Sequence, residues 1–362
     1  MKRGKLNIVM GGQAGSESKG KLSAYLASKF HITHFAGCLS PNAGHVVIRN
    51  NVKYVTHHIP VGVAGCLDPR QAHIFIGPAS VINPDILLSE ISMLRDNGID
   101  PYLIFVDGRA TVIQPHHIRD ELDSLTVIGS TAQGVGEARV DKIMRRGIRM
   151  NDTPFARNTG LVVEGVGNLL IKAMDRGATV LYEMGQGFDL CIDHGVDPIY
   201  CTSRNCTPQQ ALADMGIPNR YLGDIYAVVR TYPIRVNNRD GSSGPYPSPE
   251  ISWEEIRDRC GADRDITEMT TTTHLKRRVF EFSMERIKQM VRTCDPSFLC
   301  VQFANYLDWG IYGSSSVHDL STYPLVDKFI QELEVATSTM VGYIGTGPNH
   351  IHMIDTCTDE LE

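Results

Sequence analysis

A chain of 362 residues, 42% hydrophobic and with 33 glycines, has apolar matter for a sizeable core and many tight turns, in one large α/β domain or two ordinary ones. Its formal charge of -6 and pI near 6.1 exclude nucleic-acid binding by bulk electrostatics but leave room for a small, locally positive nucleotide pocket. No stretch approaches the roughly 18 apolar residues of a membrane span.

The opening segment, MKRGKLNIVMGG, passes too soon into glycines and charges to be a signal peptide. LNIVMGG reads as a buried strand, and the next residues form a glycine loop, AGSESKGKL. Gly15, Gly20 and Lys21 keep the spacing of a phosphate-binding loop, but Leu22 stands where a magnesium-binding hydroxyl belongs. Backbone N–H groups of such a loop cradle phosphate oxygens, and the following helix, expected over 19–30, favours an anion at its start. Lys19 and Lys21 add positive charge. In PNAGHVV, residues 41–47, Asn42 and His45 form a polar cluster between apolar segments.

HIFIGPAS and YLIFVDG read as further strands, with a helix over 84–97 between them. GSTAQGVGEARVDKIMRRG, residues 129–147, is a Gly-rich turn running into a helix with Lys142, Arg145 and Arg146. That is either a solvated basic face or a phosphate clamp. A helix over 168–176 and the strand ATVLYEMGQG lead into a polar stretch, residues 182–205, suited to reading a substrate. After the strand DIYAVVRTYP, residues 237–250 form an exposed loop. EMTTTTHLKRR, residues 268–278, joins hydroxyls to cations, as a small dicarboxylate or a phosphate would require. FLCVQFANYLD is another strand, and IGTGPNH at 344–350 another glycine loop.

Strands alternating with helices predict an α/β fold with a largely parallel sheet, whose ligands bind beyond the carboxyl ends of the strands. The loops at 11–21, 40–46, 184–195 and 303–309 are placed there. No internal repeat or boundary divides the chain, so a single domain over 1–362 is expected. The nine cysteines are scattered, without a CxxC; Cys201 and Cys206 are the nearest pair. They read as reduced thiols of a cytoplasmic protein. No HExxH, EF-hand loop or GxSxG elbow is present, and the doublets His57-His58 and His116-His117 read as surface or structural histidines.

In this order, GSESKGK, NAGH, GSTAQGVGE, EMGQG with CIDHG and TSRN, TTTTHLKRR and GTGP resemble the motifs of adenylosuccinate synthetases over nearly the whole chain. The resemblance implies that family's fold, a P-loop-NTPase-like central sheet flanked by helices. It implies a ligase that phosphorylates the 6-oxygen of a purine nucleotide and then displaces phosphate with the amine of L-aspartate, using Mg2+. By the same resemblance, Gly15, Glu17, Ser18, Lys19, Gly20 and Lys21 hold donor phosphates, together with Gly44, His45 and Val46. Lys19 and His45 support phosphoryl transfer, and Gly44 offers its carbonyl to the metal, which Ser16 also touches. Asn42, Ser130, Thr131, Gln186 and Thr202 hold the acceptor nucleotide. Arg145 crosses to the neighbouring site of a homodimer. Thr271, Thr272, Thr273 and Arg277 bind aspartate, and Asn305, Asp308, Gly345 and Gly347 face the donor base.

Three departures from the family's pattern carry the most information. Ser16 stands where the ordinary members have a catalytic Asp that takes the N1 proton. Serine is too weak a base for that work, which points to the substrate aspartate or a water as acceptor. A shorter side chain makes room for the 2-amino group of guanine, and a bacteriophage branch of the family with this pattern converts dGMP. Leu275 falls where ordinary members have an Arg near the ribose 2'-hydroxyl, and an apolar residue there suits a deoxyribose. Tyr306 replaces the Lys of a guanine-reading motif, which favours ATP or dATP over GTP. The expected reaction therefore joins dGMP to aspartate, in the host cytoplasm for a phage-encoded enzyme. The rival readings are an ordinary synthetase using IMP and GTP, and a non-catalytic nucleotide sensor.

Overall fold

The computed structural model describes residues 1–238, 242–270 and 274–357. Strand β1, Leu6–Gly11, is buried along its whole length. Leu6, Ile8 and Met10 pack into one apolar cluster and Val9 into another on the opposite face. Parallel strands buried on both faces read as continuous apolar runs, which is why LNIVMG was legible as a strand.

Among the described residues, ten strands form the central sheet. Its order runs from Met353–Asp355 through Val341–Gly345, Phe298–Gln302 and Leu222–Arg230 to β1. It continues through Val180–Glu183, β2 (His34–Gly37), His73–Ile76 and Leu103–Asp107 to Val162–Val163. Met353–Asp355 is antiparallel and the other neighbours pair in parallel. The six apolar runs read as strands all lie in it. Parallel pairing brings the carboxyl ends of β1, Val180–Glu183, Leu222–Arg230 and Phe298–Gln302 to one edge, where the long polar loops emerge.

The expected helices are found at α1 (Lys19–Lys29), Pro84–Asp96 and Val166–Asp175, and the turn at 129 runs into the helix Val135–Ile143. A hairpin, β3 (His45–Arg49) with β4 (Val52–Thr56), folds over α1 and was not legible as two strands. Nor was the small sheet Ile234–Arg235, Arg278–Phe280 and Glu250–Ile251. The hairpin strands are only partly buried and the strands of the small sheet are two or three residues long, so neither leaves a continuous apolar run. Among the described residues, which include all nine cysteines, no disulfide forms, and no helix is long and apolar enough to cross a membrane.

Candidate active site

The loop after β1 is held in an unusual backbone shape. Gly15 has φ 93°, Ser16 φ 57° and Ser18 φ 66°. Left-handed backbone costs an L-residue about 1–2 kcal/mol, so neighbouring groups must enforce it. Glu17, fully buried under the loop, accepts N–H bonds from Gln13 (3.2 Å) and Gly15 (2.8 Å) on Oε1. Its Oε2 accepts from Lys19 Nζ at 2.7 Å. From the far side, Arg230 Nη1 donates to the carbonyl of Ser16 at 2.9 Å. Alternating backbone hands make a concave nest for an anion. Helix α1 starts from it with no side-chain cap, so its first amides and dipole face the same point. Gly20 lets α1 approach the hairpin and the turn Val61–Gly65: a Cβ there would stand 2.9 Å from the Val46 carbonyl and 2.4 Å from Val61 Cγ1.

Two cavities open beside this loop. The larger, about 710 Å³, is lined by Gly15, Ser16, Ser18, Lys19, Gly20, Asn42, Gly44, His45, Val46, Ser130, Thr131, Gln186, Leu275 and Arg277, which brings most of the expected site residues to one place. Gln186 Nε2 donates to Asn42 Oδ1 at 3.0 Å on its wall. The smaller cavity, about 350 Å³, is lined by Lys21, Asn305, Tyr306, Trp309, Tyr312 and Gly347. Ser18, Val46 and Phe303 line both. Trp309 and Tyr312 stack at 4.9 Å, and the Arg264 guanidinium lies over both rings. Burial without water lowers the Lys21 ammonium from 10.5 to about 7.

Other expected residues stand off these walls. Thr202 donates its N–H to the Leu190 carbonyl at 2.9 Å and so fixes the loop that carries Leu190 into the larger cavity. Arg145 is exposed, at φ 62°, amid the exposed side chains of Val140, Ile143, Met144 and Ile148. Asp308 caps the turn Trp309–Ile311 by accepting from Gly310 N at 2.9 Å. Gly345 lies behind the smaller cavity, where a Cβ would meet Gln302 Oε1 and Lys21 Nζ. Thr271, Thr272 and Thr273 lie outside the described residues.

Three charged groups were missed. His45 Nδ1 meets Glu183 Oε1 at 2.5 Å, and Glu183 Oε2 accepts from Gly62 N at 3.1 Å. Glu268 accepts from Arg230 Nη1 and Nη2, from Arg277 Nη1 (2.9 Å) and from the Tyr306 hydroxyl (3.1 Å). Burial alone would raise the Glu268 carboxyl, but the two guanidiniums outweigh it and hold it below the usual carboxylate range. A charged residue closing an apolar strand, as Arg230 closes LGDIYAVVR and Glu183 closes VLYE, was the available signal. Charges at buried strand ends need partners.

Ser16 and Gly44 both line the larger cavity. A hydroxyl and a carbonyl are the neutral, hard oxygen donors that let a Mg2+ ion take its remaining ligands from phosphates and water. Glu17 is already committed to Lys19 and to backbone amides. His116, His117 and Asp141 also cluster. There His117 Nδ1 accepts from Gln114 N at 3.0 Å, so Nε2 carries the proton shared with Asp141 and is not a free ligand. His58 Nε2 accepts from Asn83 N. Both doublets thus contain a structural histidine.

The adenylosuccinate synthetase family model matches residues 8–160 and 154–310. An adenylosuccinate synthetase from a Pyrococcus species (strain ST700) is 32% identical over 359 residues, 96% of this chain and 97% of that protein. The N6-succino-2-amino-2'-deoxyadenylate synthase of Vibrio phage phiVC8 is 33% identical over 363 residues, 95% of this chain and 96% of that protein. Among solved structures, the succinoaminodeoxyadenylate synthetase PurZ of cyanophage S-2L, bound to dGMP and to dATP as an energy donor, superposes with a TM-score of 0.82. It is 28% identical, covering 97% of this chain and 95% of that one.

Proposed function

The chain belongs to the adenylosuccinate synthetase family and is a C–N ligase driven by a nucleoside triphosphate, and from that premise we propose that it joins dGMP to L-aspartate with ATP or dATP as donor. Overall identity does not choose between acceptors, since the IMP-type and dGMP-type relatives are equally distant at 32% and 33%. The observation that carries the choice is Ser16 on the wall of the larger cavity, which the Asn42–Gln186 pair also lines. A serine leaves space and no negative charge where guanine presents its 2-amino group. Leu275 on the same cavity supports a deoxyribose, because an apolar side chain offers no partner for a 2'-hydroxyl.

The donor occupies the smaller cavity, its base by Tyr306 and the stacked Trp309 and Tyr312, and its phosphates run over the nest at 15–18 toward the larger one. Lys19, Lys21 and His45 stabilise the charge that moves as the guanine O6–P bond forms and the bond to the leaving diphosphate breaks. Ser16 and Gly44 would hold a divalent cation with the donor phosphates, which would neutralise charge on them. Glu183 fixes the His45 ring so that Nε2 is the nitrogen left for the reacting groups. The aspartate amine then attacks C6, and phosphate leaves with the oxygen. The one acidic side chain among the described residues lining the larger cavity is Glu268, and it is committed to two arginines. Loss of the N1 proton to the substrate aspartate or a water fits that arrangement. Arg277, which keeps an unpartnered buried Nε, receives an aspartate carboxylate. The apolar surface around Arg145 suits a two-fold interface, through which Arg145 reaches the neighbouring site.

The test is an assay matrix of dGMP, GMP and IMP against ATP, dATP and GTP, each with L-aspartate and Mg2+. Phosphate release that requires dGMP and aspartate supports the reading. Turnover of IMP with inert dGMP rejects it in favour of an ordinary synthetase, and absence of turnover with all acceptors favours a nucleotide sensor.

A further inference from the structure

The two cavities are joined by a continuous chain of polar contacts. Tyr306 walls the smaller cavity, and its hydroxyl donates to Glu268 Oε1 at 3.1 Å. Glu268 reaches the larger cavity, and its Oε2 accepts from Arg277 Nη1 at 2.9 Å. The Arg277 backbone N–H also donates to the Glu268 carbonyl at 2.9 Å, so the pair is tied at both main chain and side chain. Arg230 grips the same carboxylate from below and in turn holds the Ser16 carbonyl. The Arg230 guanidinium lies 3.8 Å over the ring of Phe303, the wall common to both cavities, whose backbone is left-handed at φ 62°. A bulky aromatic residue in that conformation is strained and is kept there by its surroundings.

We propose that Tyr306 is a positioning residue that couples the donor cavity to Arg277, so that filling the donor cavity tightens the binding of L-aspartate. The inference rests on the reading of the smaller cavity as the donor's and of Arg277 as the aspartate ligand. Its physical basis is that Arg277 can turn its unpartnered Nε to a carboxylate only while Glu268 holds its Nη1. Among the described residues, Glu268 is held by Arg230, Arg277 and Tyr306, and of these Tyr306 alone lines the donor cavity. A base packed against the Tyr306 ring restricts the ring, holds the hydroxyl on Glu268, and so lowers the ordering cost left for aspartate. Linkage requires the same factor in reverse: aspartate must tighten the donor equally.

The experiment measures L-aspartate affinity by calorimetry on the full chain with saturating dGMP, with and without a non-hydrolysable ATP analogue. In the wild type the analogue is expected to tighten aspartate about five- to tenfold, and aspartate to tighten the analogue by the same factor, within the usual range of coupling. In Tyr306→Phe, which keeps the ring, both factors are expected to fall close to one, whatever the change in analogue affinity by itself, with the thermal midpoint as a check on folding. Equal coupling in wild type and Y306F, or no coupling in the wild type, overturns the inference. The wild-type arm can overturn the inference even if the variant folds poorly. Failure of the analogue or aspartate to bind at all instead rejects the underlying reading of the cavities.

Discussion

His45, the first residue of β3, and Glu183, the last residue of the strand Val180–Glu183, meet at 2.5 Å across 138 positions of sequence, with both side chains buried. The contact fixes which ring nitrogen of His45 faces the larger cavity. Glu183→Gln is expected to lower kcat about a hundredfold, the lower end of what a positioned proton-transfer group contributes, with nucleotide KM values little changed. Steady-state kinetics on the preferred acceptor checks this; an unchanged kcat rejects the orienting role.

Ser16→Asp is tolerated by the backbone, because aspartate is among the residues that accept the left-handed region. Its effect should therefore be chemical. Crowding and charge at the 2-amino group are expected to reduce kcat/KM for dGMP at least about tenfold relative to IMP. Parallel assays with the two acceptors measure the ratio, and unchanged dGMP kinetics would remove Ser16 from the specificity argument.

Leu275→Arg places a donor where a 2'-hydroxyl would lie. One hydrogen bond to a charged group is worth about 1.5–3 kcal/mol. The preference for dGMP over GMP is expected to fall about tenfold, read as the ratio of the two kcat/KM values. A constant ratio would show that Leu275 does not sense the sugar.

Lys21 makes donor binding depend on pH. Its folded value is about 7 against an ordinary 10.5, so between those values the unfolded chain holds more protons. From this group alone, ligand-free stability rises with pH across that window. Donor phosphates placed beside Lys21, as proposed, are expected to restore the charged form. Binding of an ATP analogue at about pH 8 is expected to take up close to one proton, and at about pH 6 almost none. Calorimetry in buffers of different ionisation enthalpy counts the protons, and zero uptake at the higher pH contradicts the assignment.

Arg145→Ala and Lys19→Ala are each expected to be nearly inactive. If Arg145 serves the neighbouring site, mixing the two variants creates dimers with one complete site, and activity recovers to about a quarter of wild type by random assortment of a two-fold dimer. No recovery after subunit exchange, confirmed by native mass measurement, would show that Arg145 does not serve the neighbouring site.

Legibility followed the range of the interactions. The apolar runs before glycines marked the strands because burial on both faces leaves a local signature, as in β1. The loop carrying Ser16, Lys19, Gly20 and Lys21 was readable as a strand-to-helix turn because it is made by consecutive residues. The register of the hairpin His45–Arg49 with Val52–Thr56 and the partners of Glu268 were not readable in that way, since no window of sequence contains them.

The amino-acid sequence by itself determined the α/β class, the glycine loop after β1, and the identity of the side chains at positions 16, 275 and 306. Local periodicity, loop glycines and residue chemistry suffice for those. Only the tertiary structure decided that Glu183 orients His45, that Glu268 joins Arg230, Arg277 and Tyr306, and that two cavities share Phe303 as a wall. Those relations are contacts between distant segments, made when parallel strand ends converge on one edge of the sheet, and a buried charge finds its partner only there.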